Sequence, residues 1–570
     1  MTSAGRYYPS SLMADQPYKP IESYGAIGNL RTVGLIGADG SLDWLCFPNT
    51  SGGSVFGAIL DNGKGGCFRV WVDGASTRQR YVDGTNVLRT AFLPKGSIVG
   101  VNDFMPLWGD LRGKGHSTAL DEVQRLISCR GRAVEVQVEW SPRPDYARKR
   151  AEIERHGNAW VARWGEEWLS LCGLPDGEVK DDGYGPVVRG TLRLERDEER
   201  SLVTRYCSDD LTCSVDSSKD LMKRTIAAWR NWVRTPMDYE NPGWAREWSH
   251  LISRSELALK LLIHDDTGAI LAAPTTSLPE VVGRELNWDY RYTWLRDASM
   301  AAQALLVLGH HEEAMEYLEW IRDVSEAACA VRWEPRIMYG IHGETDLEEV
   351  ELDHLDGYRS SRPVRIGNGA AEQRQHEVYG ELMSTGYELI RHGVPLDEET
   401  MSFFGRAADK VCEIWEQPDS GIWERRGEEH HYTYSKVMLW VALDRAIHMA
   451  EIYGLKGDVD LWKKTGDRIA EAVLREGYSD ERGAFTEYFG GDALDAANLR
   501  IPLMEMLPFH DERVQGTIDR IVEELLEGGM LARNTEGVER GEGSFIMCTF
   551  WLVQVLALSG RVREARSLLE

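Results

Sequence analysis

The hydrophobic pattern of the chain changes its period once, between residues 215 and 251, and this change constrains the fold more than any other feature. Residues 20–215 contain short apolar or β-branched runs separated by Gly, Asp and Asn, which predicts strands joined by turns. The clearest predicted strands are Thr32–Ile36, Ser41–Phe47, Cys67–Val72, Asn86–Phe92, Val134–Trp140 and Val187–Leu194. Many short strands with frequent turns indicate a β-sandwich.

From residue 251 onward, apolar residues recur every three or four positions, which is typical of helices that bury one face. The predicted helices are 251–263, 294–308, 311–328, 370–393, 397–416, 432–454, 458–478, 493–507, 511–529, 544–559 and 561–570. Long links rich in aromatic and charged residues precede the even-numbered helices, and short links follow them. A closed ring of helical hairpins explains this alternation, because it collects the long loops around one pocket at the N-terminal ends of its inner helices. Stacked solenoid repeats are the alternative, but no period of about 34–45 residues recurs.

We therefore divide the chain into a β-sandwich at residues 1–215, a helical linker at 216–250 and a helical ring at 251–570. The most apparent helix of the linker is Ser217–Trp232.

The net charge is -27, from 92 Asp and Glu against 65 Lys and Arg. Such a surface repels nucleic acid and anionic membranes, and it suits a neutral substrate or none at all. The nine cysteines are scattered without a CxxC pair, which indicates neither a disulfide framework nor a zinc site and favours a reducing compartment.

The N-terminus has no apolar signal region and no apolar run reaches about 18 residues, so we expect a cytoplasmic protein.

Residues 287–297 hold four aromatics, two arginines and two aspartates at the start of the second helix. Burying so many charges is costly unless they are paired. Arg296 beside Asp297 suits paired sugar hydroxyls, while Tyr290 and Trp294 offer aromatic faces. A structural ion-pair network at a helix start is the alternative interpretation.

Two glutamates lie in loops that lead into later inner helices. Glu424 follows Trp423, and an apolar neighbour raises the pKa of a carboxyl group enough for it to act as an acid. Glu542 stands between two glycines, where the backbone can hold a carboxylate at a helix mouth. The alternatives are a solvated loop glutamate for Glu424 and a helix first-turn acid for Glu542.

A further segment, residues 357–368, carries Arg359, Arg362 and Arg365, which suit hydroxyls, a phosphate or neighbouring carboxylates. We select Arg362, together with Tyr339 from the loop before it, as candidate substrate contacts. Because all these segments precede inner helices, one ring brings them to one face. Two carboxylates from separate loops, with aromatics and Arg/Asp pairs, form the arrangement that glycosidases use. The sequence has no GxSxG, HExxH, Walker or dinucleotide motif.

At these residues the chain resembles glycoside hydrolase family 15, the family of glucoamylases, glucodextranases and bacterial-type trehalases. Glu22–Asn29 and Gly40–Trp44 match as well, and the resemblance runs from about residue 19 to the end. It implies a multidomain β plus α protein, with an N-terminal β-sandwich followed by a catalytic (α/α)6 barrel. Since the sequence stops in the eleventh predicted helix, the barrel is expected to lack its last inner helix.

The resemblance also implies roles for the candidate residues. Glu424 resembles the general acid and Glu542 the general base of an inverting, exo-acting α-glucoside hydrolase. That enzyme releases β-glucose from the non-reducing end of an α-glucan, oligosaccharide or disaccharide. The residues implied to contact the sugar are Tyr290, Trp294, Arg296, Asp297 and Trp423.

The linkage stays open between trehalose, isomaltose-type and maltooligosaccharide substrates, since Arg425 follows the acid where fungal-type relatives carry a second Glu. A glycoside phosphorylase is one alternative, but it needs no base carboxylate, so Glu542 argues against it. A non-catalytic carbohydrate-binding homologue is the other. No metal or cofactor is predicted, and a homo-oligomer is compatible with the sequence.

Overall fold

The structure, a computed structural model, describes residues 6–9, 18–233, 248–328 and 334–570. Parts of the predicted sandwich and linker, residues 1–5, 10–17 and 234–247, lie outside the described residues.

The N-terminal part is built from antiparallel strands. In chain order they are β1 (Arg6–Tyr8), β2 (Tyr24–Gly28), β3 (Val33–Gly37), β4 (Ser41–Cys46), β5 (Ser54–Phe56), β6 (Phe68–Trp71), β7 (Ser76–Tyr81), β8 (Leu88–Leu93), β9 (Ser97–Phe104), β10 (Leu107–Gly109), β11 (Ser117–Ala119), β12 (Glu122–Gly131), β13 (Val134–Trp140), β14 (Glu152–His156), β15 (Ala159–Trp164), β16 (Glu167–Cys172), β17 (Glu178–Asp181), β18 (Pro186–Leu194) and β19 (Glu199–Tyr206). One sheet has nine strands in the order β1-β7-β8-β9-β12-β19-β16-β15-β14. The other has eight, in the order β17-β18-β13-β6-β4-β3-β2 with β5 beside β4. Strands β10 and β11 form a separate ribbon.

The two sheets pack face to face around one apolar core, to which both contribute. Strand β13 shows why its sequence folds this way: Val136, Val138 and Trp140 point into the core, while Glu135 and Glu139 alternate with them on the other face. All six runs predicted from the sequence coincide with strands of these sheets, which confirms the predicted β-sandwich.

The remainder is mostly helical. The helices are α1 (Val215–Val233), α2 (Ser249–Leu261), α3 (Leu295–Val307), α4 (His311–Ala328), α5 (Glu377–Arg391), α6 (Glu398–Ile414), α7 (Thr433–Tyr453), α8 (Val459–Ala472), α9 (Arg500–Leu503), α10 (Glu512–Leu525), α11 (Thr535–Arg540), α12 (Ile546–Leu558) and α13 (Val562–Leu569). The connecting loops contain short strands: β20 (Thr276–Pro279), β21 (Asn287–Asp289), β22 (Thr293–Trp294), β23 (Met338–Tyr339), β24 (Val350–Glu351), β25 (Arg365–Ile366), β26 (Tyr478–Ser479), β27 (Ala484–Phe485), β28 (Leu526–Glu527) and β29 (Met530–Leu531). Across the described ranges, every helix is too short or too polar to span a membrane.

The helices from α2 onward form the predicted barrel. In the described part of the chain, the inner layer consists of α3, α5, α7, α9 and α12, and the outer layer of α2, α4, α6, α8, α10 and α13. Inner helices pack on one another in sequence, from α3 on α5 to α9 on α12. Outer helices bury one stripe; α10 buries Val514, Ile518, Ile521 and Leu525, which share one face. The outward flank of α12 exposes Ile546, Phe550 and Leu558.

Several predicted helix boundaries are wrong, each for a local reason. The helix predicted at 370–393 begins only at Glu377, because a 3-10 turn at Gly369–Glu372 and an extended segment come first. The helix predicted at 493–507 is a 3-10 turn followed by the short α9, and it stops where Glu505 adopts a φ of 68°. The helix predicted at 511–529 ends at Leu525, because Gly528–Gly529, both with positive φ, turn the chain into the β28–β29 hairpin.

Arg291 forms a buried ion pair within the barrel and also hydrogen-bonds to the sandwich, so it attaches one to the other. Arg291 Nη2 lies 2.6 Å from Asp289 Oδ2, and both side chains are almost completely buried. Arg291 Nη1 donates to the carbonyl oxygens of Thr50 (3.2 Å) and Gly52 (3.0 Å), which belong to the sandwich. The segment that carries the predicted sugar contacts is therefore held from behind by the N-terminal domain.

We expect Arg291→Met to lower the free energy of unfolding by about 3–5 kcal/mol, because it leaves the carboxylate of Asp289 buried without its partner. Urea unfolding followed by tryptophan fluorescence measures this loss. Arg284→Met, which removes an exposed arginine from the same loop, is the matched control and should change the free energy by no more than about 0.5 kcal/mol. Equal effects of the two substitutions would contradict the role assigned to the Arg291 pair.

Candidate active site

The loops at the N-terminal ends of the inner helices border a cavity of about 1290 Å³. Six of the nine residues selected from the sequence line it together: Tyr290, Arg296, Asp297, Trp423, Glu424 and Glu542. The helical ring thus brings residues from three separate loops to one face, as the alternation of link lengths predicted.

Glu424 lies in a tight turn in which its own backbone has a φ of 56°. A side chain in this left-handed region is strained, and such strain is often kept where a functional group must be aimed. Its Oε1 accepts a hydrogen bond from Arg296 Nη2 at 3.0 Å. Burial raises the pKa of Glu424, and the Arg296 guanidinium opposes that rise without cancelling it.

Arg296 is fixed by groups on both sides of the acid. Its Nη1 donates to the carbonyl oxygen of Ile422 at 2.8 Å and to Glu377 Oε1 and Gln375 Oε1, each at 3.2 Å. Its Nε donates to Asp297 Oδ2 at 3.1 Å. Burial raises the pKa of Glu377 to about 8. The guanidinium therefore joins the start of α3, the start of α5 and the loop that carries the acid.

Glu542 lies in a different electrostatic environment. Its Oε2 is 2.5 Å from Arg533 Nη2, and the same nitrogen is 2.6 Å from Glu280 Oε2. The Tyr290 hydroxyl donates to Glu280 Oε1 at 3.0 Å. Arg533 also lies over the ring of Trp423, with 5.6 Å between guanidinium and centroid. The carboxylate of Glu542 therefore contacts a guanidinium directly, and Glu280 contacts the same guanidinium.

Trp423, beside the acid, is held at both ends. Its indole N–H donates to Asp495 Oδ1 at 2.9 Å, and its ring meets Phe545 edge-on at 5.7 Å. Burial, with the nearby charge of Glu487, raises the pKa of Asp495 to about 7. The ring of Trp423 thus forms a fixed wall of the cavity.

Arg425 connects the loop of Glu424 to the loop of Glu542. Its Nη2 lies 2.6 Å from Glu487 Oε1, and its Nη1 forms an ion pair with Glu536 of α11. Helix α11 leads directly to Glu542, so this arginine sets the approach of the two loops that carry the carboxylates.

A family model of glycosyl hydrolases family 15 matches residues 249–570, and one of trehalase-like N-terminal domains matches residues 11–229. The chain belongs to glycosyl hydrolases family 15. It is 36% identical to a trehalase of Mycolicibacterium smegmatis, over 97% of this chain and 85% of that protein. It is also 36% identical to a trehalase of Mycobacterium tuberculosis (100% and 86% covered) and 34% identical to one of Thermoplasma volcanium (97% and 87% covered).

Among solved structures, a bacterial glucoamylase complexed with acarbose has the same fold, with a TM-score of 0.65 at 11% identity over 94% of this chain and 82% of that one. The predicted family and fold are thereby confirmed, and the chain is a glycoside hydrolase.

Three predicted residues of this family 15 enzyme do not line the cavity. Trp294 is buried behind it, tilted against Tyr290 with 5.8 Å between centroids. Tyr339 is also buried, and its hydroxyl accepts a hydrogen bond from the Arg336 N–H at 2.9 Å. It pairs with Thr293 across β22 and β23, so it supports the wall from behind.

Arg362 does not reach the site, in contrast to its selection from the sequence. Its side chain is 54% exposed and forms an ion pair with Asp356. The reason is that this segment packs on the sandwich, where the Tyr358 hydroxyl donates to the carbonyl oxygen of Lys19 at 2.8 Å. Arg365 borders the cavity instead, 4.5 Å from the ring of Trp288.

The structure adds cavity residues that sequence reasoning did not select, above all Glu280 and Arg533. Neither lies in a motif, and they are far apart in the sequence, so their pairing with Glu542 becomes visible only in three dimensions. The one available signal was their position in the long loops that precede inner helices.

We expect Asp495→Asn to flatten the pH dependence of stability between about pH 4 and pH 7. An unfolded aspartate ionises near pH 3.9, whereas burial keeps Asp495 protonated in the folded protein up to about pH 7. In this window the folded state binds the extra proton, so the free energy of unfolding of the native protein falls as pH rises. The asparagine keeps the acceptor for Trp423 and should remove about 2–4 kcal/mol of this fall. Urea unfolding at several pH values measures the slope, and an unaltered slope in Asp495→Asn would contradict the assignment.

Proposed function

We propose that this family 15 enzyme is an inverting, exo-acting hydrolase of α,α-trehalose that releases β-glucose from the cleaved residue. The observation that carries the proposal is the contrast between two carboxyl groups bordering one cavity: burial favours the protonated form of Glu424, and Arg533 touches the carboxylate of Glu542. The trehalase names of relatives that match nearly the whole chain support the choice of substrate.

In the proposed reaction, Glu424 donates its proton to the glycosidic oxygen as the bond from this oxygen to the anomeric carbon breaks. Glu542 takes a proton from a water that attacks the same carbon from the opposite face. The water oxygen becomes the new anomeric hydroxyl, the second glucose leaves as an alcohol, and the configuration at the attacked carbon inverts. Transfer of the proton from Glu542 to Glu424 through solvent water then restores the starting protonation of both carboxyl groups.

The surroundings of the acid fit a neutral disaccharide. Asp297, Tyr290 and Trp423 offer an acceptor and aromatic faces to the glucose that is attacked. Arg425 follows the acid, so it borders the leaving-group side, where its pairs with Glu487 and Glu536 present both donors and acceptors to the second glucose. A trehalose molecule exposes hydroxyls on both rings. A site with polar groups for the attacked glucose and for the leaving glucose can bind both rings.

We expect trehalose hydrolysis to give α- and β-glucose in equal amounts during the first minutes, before mutarotation. Inversion turns the attacked residue into β-glucose, while the leaving residue keeps its α configuration. Proton NMR at early times measures the ratio, with maltose, isomaltose, maltotriose and dextran as comparison substrates. Initial release of α-glucose alone would show a retaining mechanism. Cleavage of maltose without cleavage of trehalose would assign a glucoamylase activity instead, and phosphate-dependent formation of glucose 1-phosphate a phosphorylase.

Glu424→Gln and Glu542→Gln should each lower kcat by about 10³-fold or more, because each removes a proton-transfer group at constant shape. Glu416→Gln and Glu527→Gln, which change exposed glutamates near the same two loops but outside the cavity, are the matched controls and should keep near-native turnover. Circular dichroism verifies folding. More than a few per cent of native activity in either main variant would refute its role.

A further inference from the structure

One nitrogen of Arg533 serves two carboxylates in the candidate active site. Its Nη2 is 2.5 Å from Glu542 Oε2 and 2.6 Å from Glu280 Oε2, so these oxygens lie within about 5 Å of each other. The side chains of Arg533, Glu280 and Glu542 are only 19%, 20% and 9% exposed, which limits screening by water. One positive charge is thus shared between two negative charges.

The second carboxylate oxygen of Glu280 connects the Arg533 pair to Tyr290. Glu280 Oε1 accepts the hydrogen bond from Tyr290, which lines the same cavity. The backbone supports it, since the Glu280 N–H donates to the carbonyl oxygen of Leu286 at 3.0 Å. A Cβ added at Gly543 would lie 3.6 Å from the Glu280 carbonyl oxygen, so the two loops also approach each other beside Glu542.

Two like charges on one guanidinium influence each other's protonation. The charge of Glu280 disfavours the ionised form of a neighbouring carboxylate, and the charge of Arg533 favours it. Other charged side chains also border the cavity, among them Glu285, Arg296, Asp297, Glu424, Glu536 and Glu539. In the described part of the chain, Arg533 is the charged side chain that contacts Glu542 directly.

We propose that Glu280 and Arg533 are a positioning pair for Glu542: Arg533 orients its carboxylate toward the attacking water, and Glu280 competes for the same guanidinium nitrogen. This inference rests on the proposed role of Glu542 as the base. It adds two residues, from loops remote in sequence, that act through the base without contacting the reacting atoms.

The test is the pH profile of kcat/KM with α-glucosyl fluoride. Its fluoride leaves without a proton from the acid, so the acidic limb of the profile reports the base. Glu280→Gln removes the competing negative charge and should move the acidic limb to lower pH by about 0.5–2 units. Arg533→Gln removes the positive charge and should move it to higher pH by a similar amount. Arg533→Lys keeps the charge and should restore most of the native limb.

Asp266→Asn, which changes an exposed acidic residue outside the cavity, controls for a general change in charge and should leave the acidic limb in place. Opposite displacements in Glu280→Gln and Arg533→Gln, with rescue by lysine, support the positioning pair. Unchanged limbs, or displacements in the same direction, overturn it. Thermal melts by circular dichroism identify any variant that fails to fold. If the Arg533 variants fail to fold, the direction in which Glu280→Gln moves the acidic limb of the kcat/KM profile decides alone.

Failure of the underlying function gives a different result. If Glu542 were not the base, Glu542→Gln would still hydrolyse α-glucosyl fluoride. If Glu542→Gln is inactive while the Glu280→Gln limb is native, only the positioning pair is refuted.

Discussion

Pairing between buried or half-buried arginines and carboxylates determines the shape of the candidate active site. Arg296 contacts Asp297, Glu377 and Glu424 at 3.0–3.2 Å and thereby joins the starts of α3 and α5 to the loop of Glu424. Isolated charges at such depth would be costly, so each arginine must meet its partners for the loops to pack. The cavity therefore depends on the same ion pairs that hold the loops together. Because a guanidinium offers five donors in a fixed plane, one Arg296 can serve several loops where a lysine ammonium would not.

The described residues of the β-sandwich contribute to this arrangement without lining the cavity. Arg291, in the same loop as Tyr290, donates to carbonyl oxygens of the sandwich, and the Trp44 indole N–H donates to the Pro274 carbonyl oxygen at 2.8 Å. These contacts hold the segment before α3 from the side opposite the cavity. The wall on which Tyr290 and Arg296 lie is thus supported by both domains, which gives a physical reason for a long non-catalytic domain in a glycosidase.

The parts of this structure that the sequence predicted are those encoded by local pattern. Alternation in Val134–Trp140 and helical spacing in residues 512–525 predicted elements of the right type, and the lengths of the links predicted which loops meet. Residues contiguous with a motif, such as Trp423 and Glu424, were found for the same reason. Boundaries failed where a single backbone angle ends a helix, as at Glu505.

The rest depended on partners distant in sequence. Arg362 and Arg365 have the same residue type and neighbourhood in the chain, yet one pairs with Asp356 at the surface and the other lies against Trp288 at the cavity. Their difference is set by how the segment packs on the sandwich, which no local pattern records. Glu280 and Arg533 were missed because their contact joins residues remote in sequence, and neither residue lies in a recognisable motif.

Glu424 and Glu542 lie in different surroundings, although both belong to a protein of net charge -27. Long-range negative charge acts on both in the same direction, so it cannot separate them. The separation must come from contacts: burial dominates at Glu424, where Arg296 divides its donors among several acceptors, whereas Arg533 meets Glu542 at 2.5 Å. Arg296 divides its donors among Asp297, Glu377 and Glu424, whereas Arg533 contacts Glu280 and Glu542. The two carboxyl groups are therefore distinguished by their surroundings, burial at Glu424 and direct contact with an arginine at Glu542.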